Sequence, residues 1–539
     1  MGSVEFGNQK SPAKQQMEDQ ARASRKQSPG QDEKLGPGTS LGVIANQSFV
    51  DEPCMGTIIK WKHGDPENPY NFSKTKKAAI LVSAMCLLVN STMGSSLPSN
   101  AIPYIVHEWS VTSQEQAILP ISVYLIGYVL GPIIWGPLSE HIGRRNITIT
   151  SFILFLIWTM AAPLASDWPS FLIFRFLAGA VGGAPIAVTV GIMCDIYNDP
   201  RERGTSMALF MLPNLFGPLL APVISGYCST TIGWRWTFWI ALIYGGACLP
   251  AILWVPETFG PALLTRRAKK IRGVDPTAQI FSAAELEPRD LKQLVTRVLT
   301  RPINMLVSEL IVSSTCAYLA LCYAIFYMTF QAFPLIFRDL YGLSPGVTGL
   351  CFLPVGAGCI LALPVAFSWD GYLSSSKARG EPWTNKQENC RLPLAIAGGP
   401  MFAISLFWLG WSARKDVSFV VPMLAGIPFG CGFTLIFIAM LNYLTDAYEI
   451  YSASANAASS GSRSILAVVL PLATFPMFGR LGIAGACSLL GGLSGVMCLI
   501  PFVFIWKGER IRARSKFCIA LKTQKCQMGE RSEAIQSSG

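Results

Sequence analysis

Gly136-Pro137-Leu138-Ser139-Glu140-His141-Ile142-Gly143-Arg144-Arg145 is the stretch on which the reading of the fold turns. It holds an acid, two arginines and two glycines, and long apolar runs stand on both sides of it. A bilayer-spanning helix needs about 20 apolar residues, and both flanking runs reach that size. The stretch therefore reads as a tight, charged hairpin pinned between two membrane helices.

Outward from this hairpin the same apolar run recurs. Spans are predicted near 78–98, 117–137, 147–166, 170–193, 205–226 and 236–256, then near 303–329, 345–367, 392–411, 418–441, 453–476 and 483–506. Composition agrees: 51% of residues are hydrophobic and 14% charged, against roughly one quarter charged in soluble domains. The predicted fold class is an all-α polytopic membrane protein of twelve transmembrane helices in two six-helix halves. The predicted organisation is a disordered N-terminal tail (1–76), a first half (77–256), a linker (257–302), a second half (303–506) and a basic tail (507–539). The tail is rich in Gln, Ser, Gly and Lys and lacks the apolar residues that would offset its ordering entropy. The first apolar run follows it as a signal-anchor helix that stays in the mature protein. No soluble segment is long and apolar enough for a catalytic domain, so the chain is not read as an enzyme.

The formal net charge is +11. Outside the tails and the even-numbered loops, the only Lys and Arg are Arg175, Arg235, Arg338, Arg414, Lys415, Arg463 and Arg480. Basic residues collect in cytoplasmic loops, so both tails are predicted to lie in the cytoplasm. The charge is spread over short loops rather than one foldable domain, which argues against a nucleic-acid partner. The fifteen cysteines form no C-x-x-C pair and sit mostly in apolar runs, where Cys behaves as a small hydrophobe. Neither a disulfide framework nor a metal site is expected. In the linker, Arg266-Arg267-Ala268-Lys269-Lys270-Ile271-Arg272 suggests contact with lipid headgroups. Ser282-Ala283-Ala284-Glu285 is a capping-box pattern, and Leu291, Leu294, Val295 and Val298 predict an amphipathic helix.

Charge inside a span costs roughly 2.5–3.5 kcal/mol on insertion scales, so Arg175 and Arg463 require a reason. Arg175 shares a helix face with Gly179, Gly182 and Gly183, which turns it toward protein or cavity. It could organise a polar network, or snorkel to the nearer surface. In span 5, Gly217, Ala221 and Ser225 form a small-residue stripe interleaved with Pro213, Pro218 and Pro222. A helix so bent and smooth can pivot against a partner or pack statically. Glu140, Arg144, Arg145 and Asp195 gather at one membrane face, where ion pairs can form in one state and break in another. Asn90, Tyr124, Tyr128, Asn214, Tyr323, Tyr327, Phe330, Phe433 and Asn456 are the candidate cavity residues. No Asp, Glu or His lies in the middle of a predicted span. A buried cation wants a carboxylate partner, so a polycationic substrate is disfavoured and a neutral or amphipathic one favoured.

Taken together, these motifs resemble the major facilitator superfamily, and within it the fungal twelve-helix drug:proton antiporters and secondary-metabolite efflux pumps. Gly136 to Arg145 is similar to the family's loop between helices 2 and 3. Arg175 with Gly179 resembles its helix-4 motif. Gly217, Pro218, Pro222 and Gly226 resemble its helix-5 antiporter motif, with Ala221 and Ser225 standing where glycines are common. Trp234 to Trp239, Pro256-Glu257-Thr258, Asp65-Pro66 with Asn68-Pro69, Asn442 to Tyr448 and Pro471 to Pro476 add to the match. The second half's counterpart of the signature loop, around Asp370 and Arg379, is degenerate.

The resemblance implies a substrate site between the halves and a gate formed by Gly136, Glu140, Gly143, Arg144, Arg145 and Asp195. It links Arg175 to proton coupling, and Gly217, Pro218, Pro222 and Gly226 to the direction of export. The expected function is secondary active export of a small hydrophobic or amphipathic compound by proton antiport with alternating access. Polyamine export, nutrient uptake and a non-transporting sensor are the alternatives. No cofactor is expected beyond the proton gradient. The expected partners are the substrate, protons and the lipid bilayer, with the chain a monomer in the plasma membrane or, alternatively, the vacuole.

Overall fold

A computed structural model describes residues 57–62, 64–275, 279–286, 300–448, 451–515 and 517–519. The tail before residue 57, the predicted amphipathic helix over Leu291–Val298 and the end of the basic tail lie outside the described residues. Twelve long helical segments run through the rest: α1 (Lys74–Ser96), α2 (Gln114–Ile142), α3 (Arg144–Ala161), α4 (Trp168–Ile196), α5 (Pro200–Thr231), α6 (Arg235–Trp254), α7 (Leu310–Leu340), α8 (Pro345–Ala378), α9 (Pro393–Ser412), α10 (Val420–Tyr448), α11 (Ser452–Leu472) and α12 (Thr474–Arg514). All but α5 and α11 are long and apolar enough to cross a membrane by composition alone. These two carry the proline and small polar residues used below. We refer to the side where α1 begins and α12 ends as the terminal face, and to the opposite side as the far face.

Local chemistry sets the ends. Ser73 caps α1 by accepting a hydrogen bond from the Lys76 N–H at 3.3 Å, Ser113 caps α2 through Gln116, and Asp167 caps α4 through Ser170. Such caps satisfy donors that a helix start leaves open. Gly482, at φ +68°, interrupts α12. The eleventh crossing therefore continues past Leu472 to this turn, and the twelfth begins after it.

Several boundaries differ from expectation. Residues 57–62 and 64–76 are structured: β1 (Thr57–Ile58) pairs in parallel with β2 (Ile280–Phe281), and Asp65–Phe72 forms a hydrogen-bonded turn. The linker contains a helix over Gly260–Val274, and α12 extends to Arg514, into the stretch read as a tail. The linker arginines are tied to protein. Arg267 pairs with Asp65 at 2.6 Å, Arg266 with Glu257 at 3.6 Å and Arg272 with Glu285 at 2.7 Å. Glu285 also accepts the Ser282 N–H at 3.1 Å, completing the backward arm of the expected capping box.

The two halves use the same device to pack. In the first, α2 and α4 cross at glycines: a side chain on Gly127 would strike the Phe176 carbonyl, and one on Gly179 the Tyr124 carbonyl. In the second, α8 and α10 cross likewise, with Gly358 against the Ile427 carbonyl and Gly430 against the Val355 carbonyl. Small residues let membrane helices approach to backbone contact. Between the halves, α5 packs on α8 and α2 on α11. The two hydrogen bonds that cross between halves among the described residues are Ser95 Oγ to Tyr327 at 3.0 Å and Asn100 Nδ2 to the Pro345 carbonyl at 3.3 Å. Ser95 lies in the last turn of α1 and Asn100 follows its far-face end, so the seam is closed toward the far face.

Candidate functional site: two charged clusters and the seam between the halves

At the terminal face Gly143 turns the chain from α2 into α3 at φ +107°, a backbone region that favours glycine. A Cβ there would also collide with the Glu257 carboxylate. Glu257 Oε1 accepts the N–H groups of Arg144 (2.9 Å), Thr258 (3.1 Å) and Phe259 (3.1 Å). It thus caps α3 from a site over one hundred residues away. Arg144 is 7% exposed. Its Nε donates to Asp195 at 3.1 Å and its Nη1 to Ser139 at 2.5 Å, while Glu140 stands 3.8 Å from Nη2. The guanidinium fits because Gly191 of α4 has no side chain: a Cβ would lie 2.5 Å from Arg144 Cζ. Glu140 is 59% exposed and Asp195 17%. Exposed pairs contribute little, so Asp195 is the stronger partner.

The other two loop residues behave differently. Arg145 donates to the Leu253 carbonyl at 3.1 Å, a tie to the end of α6 rather than part of the cluster. Gly136 has room for a methyl group, with the Ala187 Cβ 3.8 Å away as its nearest neighbour.

A second cluster mirrors the first, although the loop around Asp370 and Arg379 is degenerate as a motif. Arg391 donates to Asp446 at 2.8 Å and stands 3.7 Å from Asp370. These are the counterparts of Arg144 with Asp195 and Glu140. Arg379 instead pairs with its near neighbour Glu381 at 3.0 Å. Buried Glu388 pairs with Arg512 at 2.8 Å, much as Glu257 ties the first cluster to the linker. Glu257, Arg391, Asp446 and Glu388 were not singled out in the sequence as members of such clusters. Arg391 sits 21 residues past Asp370, outside the motif spacing, and only the sequence position of Pro256-Glu257-Thr258 hinted at Glu257.

Arg175 is 2% exposed and does not snorkel. It donates to the carbonyls of Pro120 (2.9 Å), Gly94 (2.8 Å) and Ser95 (3.2 Å), and its guanidinium lies 4.5 Å from the Tyr124 ring. The reason is in α1. Pro98 has no N–H to offer the Gly94 carbonyl four residues back, and Ser99 bonds Ser96 instead of Ser95. Arg175 thus caps the end of α1, where the helix dipole also favours a cation.

The α5 stripe follows the same logic. Pro222 leaves the Pro218 carbonyl without its helical donor, and Ser96 Oγ supplies one at 2.7 Å. Gly217 packs on Thr92 and the Val89 carbonyl of α1. Gly226 packs on the Pro345 carbonyl and Gly346 of α8. Asn100 gathers the three helices: its N–H reaches Ser225 at 3.3 Å, and its Nδ2 reaches the carbonyls of Pro222 (2.9 Å) and Pro345 (3.3 Å). The motif residues Gly217 and Gly226 therefore contact different halves of the molecule.

The candidate cavity residues divide. Tyr323 and Tyr327 lie at the seam, their hydroxyls 3.5 Å apart, and Tyr327 continues to Ser95 across it. Tyr128 is 4% exposed and its hydroxyl has no partner of ordinary geometry. Asn214 is half-buried with its Oδ1 unpaired. Four residues are corrected. Asn90 faces α6, its Nδ2 2.5 Å from where a Gly245 Cβ would stand, and so packs inside the first half. Tyr124 is also internal to that half, donating to the Ser91 carbonyl at 2.6 Å. Phe433 stacks on Phe437 within α10, with ring centroids 4.3 Å apart. Asn456 bonds Thr445 at the terminal-face end of α10, at 3.0 Å. Phe330 is fully buried against Phe326, Tyr327 and Phe352. The period-3.6 pattern put these groups in spans but not on particular faces.

Comparison with known proteins completes the description. The family model of the Major Facilitator Superfamily matches residues 84–471. The chain is 32% identical over 482 residues to the efflux pump FUB11 of Gibberella moniliformis (strain M3125 / FGSC 7600), covering 88% of this chain and 80% of that one. It is 33% identical over 465 residues to the Ascochitine biosynthesis cluster MFS transporter of Didymella fabae, with 86% and 89% covered. In structure it is similar to the proton:xylose symporter XylE bound to 6-bromo-6-deoxy-D-glucose, at 18% identity and a TM-score of 0.59, covering 81% of this chain and 96% of that one. At that identity the likeness speaks for the fold alone.

Proposed function

The chain belongs to the Major Facilitator Superfamily, and from that premise we propose that it is a secondary transporter exporting a small hydrophobic or amphipathic compound, a toxin or secondary metabolite, by proton antiport with alternating access. The observation that carries this reading is the pairing of two unlike devices. Toward the far face the halves are held by glycine contacts and two hydrogen bonds. At the terminal face each half has its own Arg–carboxylate cluster, and no ion pair joins the two halves among the described residues. A bundle sealed on one side and able to part on the other admits substrate from the terminal face and releases it when the seal moves. The relatives that carry the name efflux pump support the outward direction.

We assign proton coupling to Arg175, a reading that the resemblance of the α4 and α5 motifs supports. Arg175 reaches Ser95, whose hydroxyl meets Tyr327 across the seam, so a change at Arg175 is transmitted to the second half. The positive-inside distribution supports cytoplasmic termini, and the chain supplies both halves of its seam, as a monomer requires. The plasma membrane is the proposed location.

The test is transport in inside-out vesicles with an acid interior, using a panel of neutral, anionic and cationic amphipathic compounds. Accumulation of at least one compound that an uncoupler abolishes supports the proposal. Accumulation insensitive to the uncoupler refutes proton antiport, and accumulation of polyamines alone refutes the substrate class.

A further inference from the structure

Arg463 stands in the middle of α11, facing Tyr323 at the middle of α7 and Phe437 at the middle of α10. Its guanidinium carbon lies 5.8 Å and 5.3 Å from those two ring centroids. Among the described residues no carboxylate approaches it and it donates no hydrogen bond. The described acids of the spans, among them Asp195, Glu309, Asp370 and Asp446, all lie near helix ends. The contrast with Arg175 is informative. Both are arginines deep in the bundle, yet Arg175 spends its donors on three backbone carbonyls, while those of Arg463 are unspent. Two ring faces offer roughly 0.5–2 kcal/mol each, and they leave five N–H donors unmet. Arg463 is half-buried at the residue level.

The groups around it belong to both halves. Tyr128, from α2, is close enough to interact electrostatically with Arg463 and Tyr323. Its hydroxyl is 4% exposed at residue level and lacks a partner. Tyr323 leads through Tyr327 to Ser95 of α1. On the other side, Phe437 and Phe433 stack to form an apolar wall.

We infer that Arg463 is the recognition group for the acid end of the substrate, and that the exported compound is an amphipathic organic anion, its carboxylate on Arg463 and its apolar body against Phe437. The planar guanidinium presents two parallel donors that match a carboxylate. A carboxylate would neutralise a cation the protein itself leaves unpaired. An organic cation would meet like charge in a low dielectric. The inference deepens the exporter reading and rests on it for the word exported; the binding site itself is tested separately.

The probes are 4-phenylbutyrate and 1-naphthaleneacetate, each paired with its primary amide. Binding to the purified full chain in detergent is followed by ligand-dependent thermal shift. The acids should bind about tenfold to hundredfold more tightly than their amides, the worth of a charge-assisted hydrogen bond or two. Arg463→Gln should lower acid affinity to that of the amide and leave amide binding unchanged. Arg463→Lys, which keeps charge but not the fork, should fall between. Equal binding of acid and amide, failure of both acids to bind, or an acid preference that survives Arg463→Gln overturns the inference. Binding through Arg463 without gradient-driven movement in vesicles upholds the anion site and refutes the exporter reading. Gradient-driven movement of the amides, unaffected by Arg463→Gln and without acid preference, upholds the exporter and refutes the anion site.

Discussion

Replacing Gly226 by alanine tests the far-face seal directly. An alanine Cβ there would stand 2.7 Å from the Pro345 carbonyl carbon and 3.0 Å from Gly346 Cα, closer still to the Pro345 oxygen. The neighbours are backbone, so they cannot rotate away, and α5 and α8 must separate. Overpacking of this kind costs about 1–3 kcal/mol. The penalty falls only on the state in which these helices touch, because once they part the added methyl group has room. A bias of that size moves a two-state equilibrium by about 5- to 150-fold toward the far-open state. The readout is a Ser99→Cys reporter, since Ser99 is 4% exposed and adjoins Asn100 beneath the seal. Labelling by a membrane-impermeant maleimide applied from the far side should accelerate by that factor in Gly226→Ala, after subtraction of the parent chain's native cysteines. Equal labelling rates with and without Gly226→Ala would refute the seal as a state-dependent contact.

Four other perturbations follow from the same geometry. Arg175→Lys cannot span three carbonyls, so thermal unfolding of the purified chain should show a loss of about 1.5–3 kcal/mol or more; unchanged stability removes its capping role. Gly143→Ala meets both an unfavourable φ and the Glu257 carboxylate, and should cost about 1–3 kcal/mol with reduced folded yield by size exclusion. Arg391→Ala and Arg144→Ala should both impair turnover, whereas Arg379→Ala should leave it unchanged; the reverse order would refute the Arg391 cluster. At the far face, Arg235, assisted by the Trp234 N–H, holds the Glu108 carboxyl below its ordinary value of 4.5 against the opposing effect of burial. A depressed carboxylate stabilises fully above the ordinary value and is lost as pH falls through the folded one. The tryptophan fluorescence difference between the parent and Glu108→Gln should therefore hold from neutrality to about pH 4.5 and collapse only below it; collapse near pH 6 contradicts the pairing.

Much of the architecture was legible because it is local. Membrane crossing depends on the length and polarity of one segment, capping on one Ser or Asp, and the hairpin turn on Gly143 and its neighbours. The twelve helical segments and the capping box at Ser282 could be read in this way. The misreadings share a cause. Arg391 was not singled out because an ion pair is set by distance in space, and 21 residues of intervening turn and helix bring it to Asp370. Asn90 and Tyr124 were assigned to the cavity by residue type, but their direction depends on how α1 and α2 are rotated in the bundle.

The sequence alone determined twelve crossings, two halves, the charge asymmetry and the presence of two arginines where arginine is costly. Only the tertiary structure decided what each arginine does. Pro98 strips one carbonyl of its donor, and Arg175, from a helix some eighty residues away, is the group that reaches it. Among the described residues, no backbone carbonyl receives Arg463 in the same way. Whether a buried donor is satisfied depends on which backbone groups other helices present to it, and that is a property of packing, absent from any one stretch of chain.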